Sequence, residues 1–250
     1  MLDQITPVVL TRDEEANIAR TLGQLTWAAE VIVVDSLSTD RTVEIARSFP
    51  NVRVLSRAID SIAGQSNHGI AAARTPWMLL LDADYFVTPE LVDELRALAP
   101  DRDAYIIGFT YAIGGKPLRA SLYPPRIVLF HRDHVRVWQD GHTPRFTPDA
   151  EPGHLRGRII HDDRKDFRRF LQRQRRYMRQ EAEKLRTADP KTLNAAARVR
   201  KLIVVAPFAV VLHTLFVRGV IRDGAVGLRY TLERFLAELM LSWELLRPSR

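Results

Sequence analysis

Trp77-Met-Leu-Leu-Leu-Asp-Ala-Asp84 constrains the fold of this chain more than any other stretch. Five large apolar residues end abruptly in two carboxylates one residue apart. A short apolar run ended by charge reads as a buried strand whose C-terminal tip emerges into a cleft. In open α/β sheets, ligands bind at the carboxyl ends of the strands. In extended chain Asp82 and Asp84 leave the backbone on the same side, where they repel unless a cation sits between them. A hard divalent ion bridged to a substrate diphosphate resolves that repulsion. The plainer alternative has one aspartate capping a helix that begins at Pro89 and the other solvated.

The residues around this run repeat its logic. Ile5–Leu10 is a β-branched apolar run, followed by Thr11 or Asp13 as caps for a helix reaching Leu25. Glu30–Asp35 is a second buried strand ending in a carboxylate, Ser36–Asp40 a turn, and Thr42–Phe49 a helix. Val52–Leu55, Trp77–Leu81 and Ala104–Tyr111 read as further strands, with Asn67–Ala73 and Pro89–Leu98 as helices. Alternation of strand and helix is the pattern of a parallel sheet wound with right-handed crossovers. A Gly114-Gly115 hairpin and a strand at Arg126–Phe130 make the later part a mixed sheet.

Charge divides the chain. Residues 1–150 carry 15 Lys/Arg against 19 Asp/Glu, whereas residues 151–250 carry 22 against 11. The basic half is expected to face something anionic, nucleic acid or a lipid surface. The absence of cysteine excludes disulfides, thiolate zinc sites and cysteine nucleophiles. The first residues lack a basic segment followed by an apolar core, so no signal peptide is expected and residence is expected to be cytoplasmic.

Taken in order, Pro7–Glu15, Val31–Thr42 and Leu79–Asp84 resemble the motifs of family 2 glycosyltransferases of the GT-A fold. The resemblance is closest to a bacterial branch that includes lipopolysaccharide-core β-glucosyltransferases. Gln65-Ser-Asn67 resembles that branch's Gln-x-Asn helix start, and Arg222–Leu228 its Asp-Gly-x-x-Gly segment. The resemblance implies an α/β fold: a mixed, Rossmann-like sheet with flanking helices over residues 1–163, and a basic, amphipathic helical extension over 164–250. It also implies an inverting hexosyltransferase that uses a nucleotide sugar, UDP-linked by resemblance, and a divalent metal, Mg²⁺ or Mn²⁺.

Carried over residue by residue, Thr11, Arg12, Glu14, Asp35, Ser38, Gln65, Asn67 and Asp82 would line the nucleotide site. Asp84 and His161 would meet the metal, and Arg126 a diphosphate or an acceptor phosphate, with an ordinary ion pair as its alternative. His161 could equally be a core histidine at a strand end. One departure stands out. The branch shows His-Glu, its presumed base, where this chain has His142-Thr143. A threonine hydroxyl is no base for an acceptor, which leaves Asp140 or His142 as the candidate.

The C-terminal region joins an Arg-rich segment, Arg164–Arg179, to an apolar run, Leu202–Val217, bracketed by Lys201 and Arg218. Sixteen residues fall short of a bilayer span. Such a segment suits a helix lying in the interface of an anionic membrane, or one buried against the domain. The expected partners are therefore a nucleotide-sugar donor, a lipid-linked or phosphorylated glycan acceptor and the inner face of the cell membrane, with nucleic acid excluded by the carboxylate cleft. The competing reading is an inactive nucleotide-sugar or lipid-binding module of the same fold.

Overall fold

The structure, a computed structural model, describes residues 1–140, 143–164 and 166–247. Two compact units emerge, one of residues 1–115 and 123–164, the other of 116–122 and 165–250.

The first unit is built on one mixed sheet. Its strands are β1 (Ile5–Thr11), β2 (Val31–Asp35), β3 (Val52–Ser56), β4 (Trp77–Asp82), β5 (Tyr85–Val87) and β6 (Ala104–Ile113), then β7 (Arg126–His131) and β10 (Gly153–His161). They lie in the order β3-β2-β1-β4-β7-β6-β10-β5. The pairs β1–β2, β2–β3 and β1–β4 are parallel, whereas β7 runs antiparallel to both β4 and β6. A separate ribbon pairs β8 (Val135–Asp140) with β9 (Thr143–Pro148). The α/β mixed sheet with flanking helices is thus the architecture that the motifs imply.

Because β1, β2 and β4 are covered on both faces, they are apolar almost throughout rather than alternating. Val9, Val33 and Leu81 face α1 (Ile18–Gly23) and α4 (Pro89–Ala97), which contribute Ile18, Leu22, Leu91 and Leu95. Val8, Val34 and Leu80 face α3 (Ile62–Ala72) and the β8–β9 ribbon, which contribute Ala63, Val137 and Phe146. Contact with α3 is close enough that Gly69 has no room for a side chain. A Cβ there would stand 2.4 Å from Val8 Cγ1 and 2.8 Å from Val34 Cγ2. Gly69→Ala is therefore expected to destabilise the protein by about 1–3 kcal/mol, read as a lower midpoint in urea, although alanine is the better helix former.

Several local expectations are corrected. The first helix spans Ile18–Gly23, not the stretch from Thr11; Thr11 ends β1, and the following loop carries Asp13 at φ 52°. Helix α3 begins at Ile62, with the Ser61 hydroxyl accepting from the Gly64 N–H, so Gln65 and Asn67 lie inside it. Local sequence favoured the later start because Gly64 weakens the first turn, which the Ser61 cap offsets.

The second unit is helical: α5 (Phe167–Thr187), α6 (Ala195–Arg200), α7 (Val205–Leu212) with a π-helical continuation His213–Val217, and α8 (Gly224–Leu246). Its core packs Met178, Ala182 and Leu185 of α5 against Ala237 and Leu241 of α8. The Tyr230 hydroxyl accepts from the Leu122 N–H at 2.8 Å, tying the 116–122 segment to α8. Helix α8 starts at Gly224, right after Asp223.

Candidate active site

Strand order places the site. From β1 the chain winds outward through β2 and β3, then returns to β4 on the other side of β1. A crevice opens at such a reversal, at the carboxyl ends of the strands. Register brings the candidates level there: Leu10 lies opposite Asp82, and Thr11 opposite Asp35.

Asp82 is the last residue of β4, and Ala83-Asp84 form the turn into β5. The two carboxylates therefore meet by way of a tight turn, not by alternation along an extended strand, which corrects the sequence expectation. That turn is fixed from several sides. The Ala83 N–H donates to the Leu10 carbonyl at 3.1 Å, and the Thr21 hydroxyl donates to the Ala83 carbonyl at 2.6 Å. The Asp162 N–H donates to the Asp84 carbonyl at 3.2 Å. Neither aspartate caps α4; Thr88 does, accepting from the Leu91 N–H.

The Asp82 carboxyl is held above its ordinary pKa, first by burial and then by the charge of Asp84, with Arg126, Tyr85 and His161 pulling the other way. Asp84 is 6% exposed, and its Oδ2 lies 3.2 Å from His161 Nε2. His161 ends β10, directly opposite Tyr85. Its ring stands edge-on to Tyr85, Tyr111 and Tyr123 at centroid distances of 5.2, 5.0 and 4.8 Å. Arg126 stacks 4.6 Å from the Tyr123 ring and donates to the Tyr85 hydroxyl at 3.2 Å. This position is neither a surface ion pair nor isolated; it sets one guanidinium beside the carboxylate pair. The Tyr85 phenol is pushed well above its usual pKa by burial and by Asp82, so it stays a neutral hydroxyl.

Loops after β1 and β2 form the other wall. Asp35 is buried, and its carboxylate accepts from both the Ser38 N–H and the Ser38 hydroxyl. Ser38 Oγ in turn accepts from the Asp13 N–H at 2.8 Å, and Asp13 Oδ1 from the Thr39 N–H at 2.8 Å. Glu14 accepts from Asn17 Nδ2 at 2.8 Å, and Arg12 is exposed. Leu37 stands in the left-handed region at φ 60° while 55% exposed, an arrangement rare for a bulky residue. The Thr11 hydroxyl is buried without a hydrogen-bond partner among the described residues.

Gln65 and Asn67 serve the scaffold. Gln65 donates to the Arg57 and Ala58 carbonyls, and Asn67 to the Val137 carbonyl. Asp140 ends β8 with one carboxylate oxygen 2.9 Å from Arg145 Nε. His142 lies outside the described residues. The sequence reading missed Tyr85, Tyr111 and Tyr123, whose only signal was tyrosine at the ends of strands entering the site. It also missed Asn17, Arg20 and Asp162, which lock the segment after His161 to α1. Arg20 bonds Asp162 Oδ2 at 2.7 Å, and the Arg164 N–H donates to Asn17 Oδ1 at 3.2 Å.

The donor set suits a divalent cation of the Mg²⁺ or Mn²⁺ type: carboxylate oxygens and an imidazole. His161 Nδ1 is buried without a hydrogen-bond partner among the described residues. Among those residues no three His, Asp or Glu side chains converge into a complete cage. A cation here would thus complete its shell with water and ligand phosphate, as such ions commonly do.

An α/β sheet with acidic strand ends at the β1/β4 crevice and a carboxylate–turn–carboxylate tip has the GT-A glycosyltransferase arrangement. Residues 7–148 match the Glycosyl transferase family 2 profile, and the chain belongs to that family. The chain is 29% identical over 136 residues to an uncharacterized glycosyltransferase of Rickettsia bellii, covering 53% of this chain and 41% of that protein. It is 25% identical over 172 residues to the lipopolysaccharide core biosynthesis glycosyltransferase LpsC of Rhizobium meliloti, covering 63% and 62%. The chain thus spans less than two thirds of the length of either relative. Among solved structures, S. aureus TarS 1–349 in complex with UDP superposes with a TM-score of 0.46 at 16% identity, covering 86% of this chain and 73% of that one.

Proposed function

We propose that this chain moves a sugar from a UDP-linked donor to a saccharide or phosphate on a lipid-linked acceptor, such as a lipopolysaccharide core, with inversion at the anomeric carbon. The observation that carries this reading is the Asp82–Asp84–His161 group at the β1/β4 crevice, two carboxylates and an imidazole brought to one strand end, where burial and then the charge of Asp84 raise the Asp82 pKa. Asp84 and His161 would hold the metal, which neutralises charge developing on the leaving diphosphate. Arg126, fixed by its tyrosines, would add a forked donor for the phosphates. Thr11 and the interlocked Asp13–Ser38–Asp35 loops would seat the nucleoside, with Asp35 shaping the loop more than reaching the ligand. Tyr85, Tyr111 and Tyr123 give an apolar wall against which a sugar face can lie and from which water is excluded.

A single displacement needs a base on the face opposite the leaving group. Asp140 and His142 are the candidates. Asp140 stands at the end of β8, with Arg145 Nε 2.9 Å from one of its carboxylate oxygens. The C-terminal unit carries the charge expected of a peripheral protein at the cytoplasmic face of the membrane, where a lipid-linked acceptor is presented. Relatives in lipopolysaccharide core biosynthesis support that acceptor class.

The test is nucleoside diphosphate release from a panel of nucleotide sugars, with Mn²⁺ or Mg²⁺ and then with EDTA, in the presence of a lipid extract. Asp140→Asn is expected to lower turnover by about 10²–10⁴-fold with little change in KM for the donor. Unchanged turnover assigns the base to His142 or elsewhere. Donor binding without turnover under any condition would favour the inactive binding module, which the Thr143 departure suggests.

A further inference from the structure

We infer that α7, its π-helical continuation and α8 form an in-plane insertion surface for an anionic lipid bilayer, deepening and resting on the membrane-side reading above. The reason is an inverted pattern of burial. A helix of a water-soluble domain turns its apolar stripe inward and its charges outward. Beyond the Tyr230, Ala237 and Leu241 positions that it buries, helix α8 does the reverse. Leu228, Leu232, Leu239, Trp243 and Leu246 recur at helical spacing and are 40–64% exposed. Glu233, Glu238, Thr231 and Ser242 are buried at 4–8% exposure.

Each of these buried side chains has a partner within the unit. Glu238 pairs with Arg200 at 2.8 Å, and Glu233 with Arg229 at 3.3 Å. Ser242 donates to the Ile203 carbonyl at 2.7 Å, and Thr231 to the Gly227 carbonyl at 2.9 Å. Hiding charge inside while presenting leucine and tryptophan outside is unfavourable in water and favourable against acyl chains.

The second stripe adjoins the first. Val205, Phe208, Leu212 and Phe216 share one face of α7 and its continuation, each 52–62% exposed, while the small residues Ala206 and Pro207 face inward. Phe208 stands 6.0 Å ring to ring from Phe235, which lies in the same α8 stripe, so the two faces are continuous. Together they exceed the isolated apolar residues that any protein surface shows.

Geometry favours lying in the bilayer surface over crossing it. Among the described residues no single helix is long and apolar enough to cross, and Val205–Val217 and Val220–Leu246 are bent by 72° where they meet. Thirteen residues of helix reach about 20 Å, against a hydrocarbon core of about 30 Å. Cations fit the headgroup level: Lys201, Arg218, Arg222 and Arg247 flank the stripes, all exposed. Arg168, Arg175 and Arg176 add exposed positive charge on α5 of the same unit. The occupant that matches apolar and cationic surface together is an anionic bilayer; a second copy, equally basic, would be repelled.

The experiment is flotation of the full chain with phosphatidylglycerol/phosphatidylethanolamine vesicles and with phosphatidylcholine vesicles. Wild type is expected to float with the anionic vesicles only. The triple change Phe208→Ser, Leu212→Ser, Phe216→Ser is expected to lower the partition coefficient roughly 100-fold. Should that protein lose its far-UV circular dichroism, Leu228→Ser with Leu232→Ser and Trp243→Ser reads the same surface from α8. Failure of wild type to float, or flotation of a folded serine variant like wild type, overturns the inference. So does a dimer in sedimentation that the serine changes dissociate, which would assign the face to a second copy. Nucleoside diphosphate release without lipid is measured on the same proteins. Its absence alongside intact flotation would count against the transferase reading only, and its persistence in serine variants that no longer float would separate the surface from the chemistry.

Discussion

Asp84→Asn is expected to abolish metal-dependent diphosphate release while leaving the protein at least as stable as wild type. The two effects have one origin. Two carboxylates share the β4–β5 turn, and the charge of Asp84 is second only to burial in raising the pKa of Asp82. For an acid, a folded-state pKa above the unfolded value means that ionisation opposes folding, so the cost is present at neutral pH and vanishes in acid. Replacing Asp84 by asparagine removes its part of that cost. The amide still meets His161, and the backbone bonds from Thr21 and Asp162 to this turn do not involve the replaced group. The thermal midpoint at pH 7 should rise, and the gain should shrink as pH falls toward 4.

Activity should move the opposite way, by about 10²-fold or more, because a metal-held diphosphate loses its charged anchor. Calorimetry with and without Mn²⁺ separates the parts. Mn²⁺ should raise the wild-type midpoint and leave that of the variant unchanged. A variant that loses stability together with activity would mean that Asp84 is a structural carboxylate, and the metal reading would fall. EDTA should reproduce the loss of activity in wild type without lowering its stability below that of the metal-free protein.

Much of this site was legible because its chemistry is local in sequence. An apolar run ended by Asp-x-Asp announces both a buried strand and its charged tip, and the sheet register then sets Asp82 level with Leu10. Asp35 was legible as a strand-ending carboxylate. Its occupation by Ser38 was also foreshadowed, since aspartate followed by serine three residues later makes a turn as readily as a binding site. What could not be read was whatever depends on side chains from distant strands. Tyr85, Tyr111 and Tyr123 come from β5, β6 and the approach to β7. Nothing local distinguishes such tyrosines from core residues. Gln65 and Asn67 show how a motif residue can also hold the scaffold. Their pattern matched a motif, and the β3–α3 loop and the β8–β9 ribbon supply backbone carbonyls that accept from the NH2 of each amide. In the C-terminal unit, the sequence showed charge and apolar length but not orientation. Only the fold shows that Glu233 and Glu238 of α8 point in while Leu228, Leu232, Leu239 and Leu246 point out.

Asp162→Ala is expected to cost about 3 kcal/mol of stability, a fall of roughly 6–12 °C in the thermal midpoint for a chain of this size. Asp162 is 1% exposed, and three donors converge on it. Arg20 bonds Oδ2 at 2.7 Å, Arg164 Nε at 2.9 Å, and the Gly115 N–H reaches both oxygens at 3.1–3.2 Å. Burial alone would raise the pKa of this carboxyl. The hydrogen bond from Arg164 leads the contributions that outweigh burial, and the pKa lies below the usual value. The group therefore stabilises the fold fully above the unfolded carboxyl value of about 3.9, and the contribution is lost as pH falls through the lower folded value. Wild type and variant should thus differ most near neutrality and converge in acid. The estimate sits at the low end for a broken buried pair because Arg164 is 46% exposed and recovers hydration when its partner is removed. Asp162→Asn, which keeps an acceptor for the Gly115 N–H, should lose less than the alanine variant. Equal losses would mean that the acceptor kept for the Gly115 N–H contributes nothing and that the charge paired with Arg20 and Arg164 carries the whole effect. Because the same residue's N–H holds the Asp84 carbonyl, and its neighbour is His161, loosening this junction should also weaken Mn²⁺ binding in protein that is still folded. A variant destabilised as expected but with unaltered Mn²⁺ affinity would show that the junction supports the fold without positioning the site.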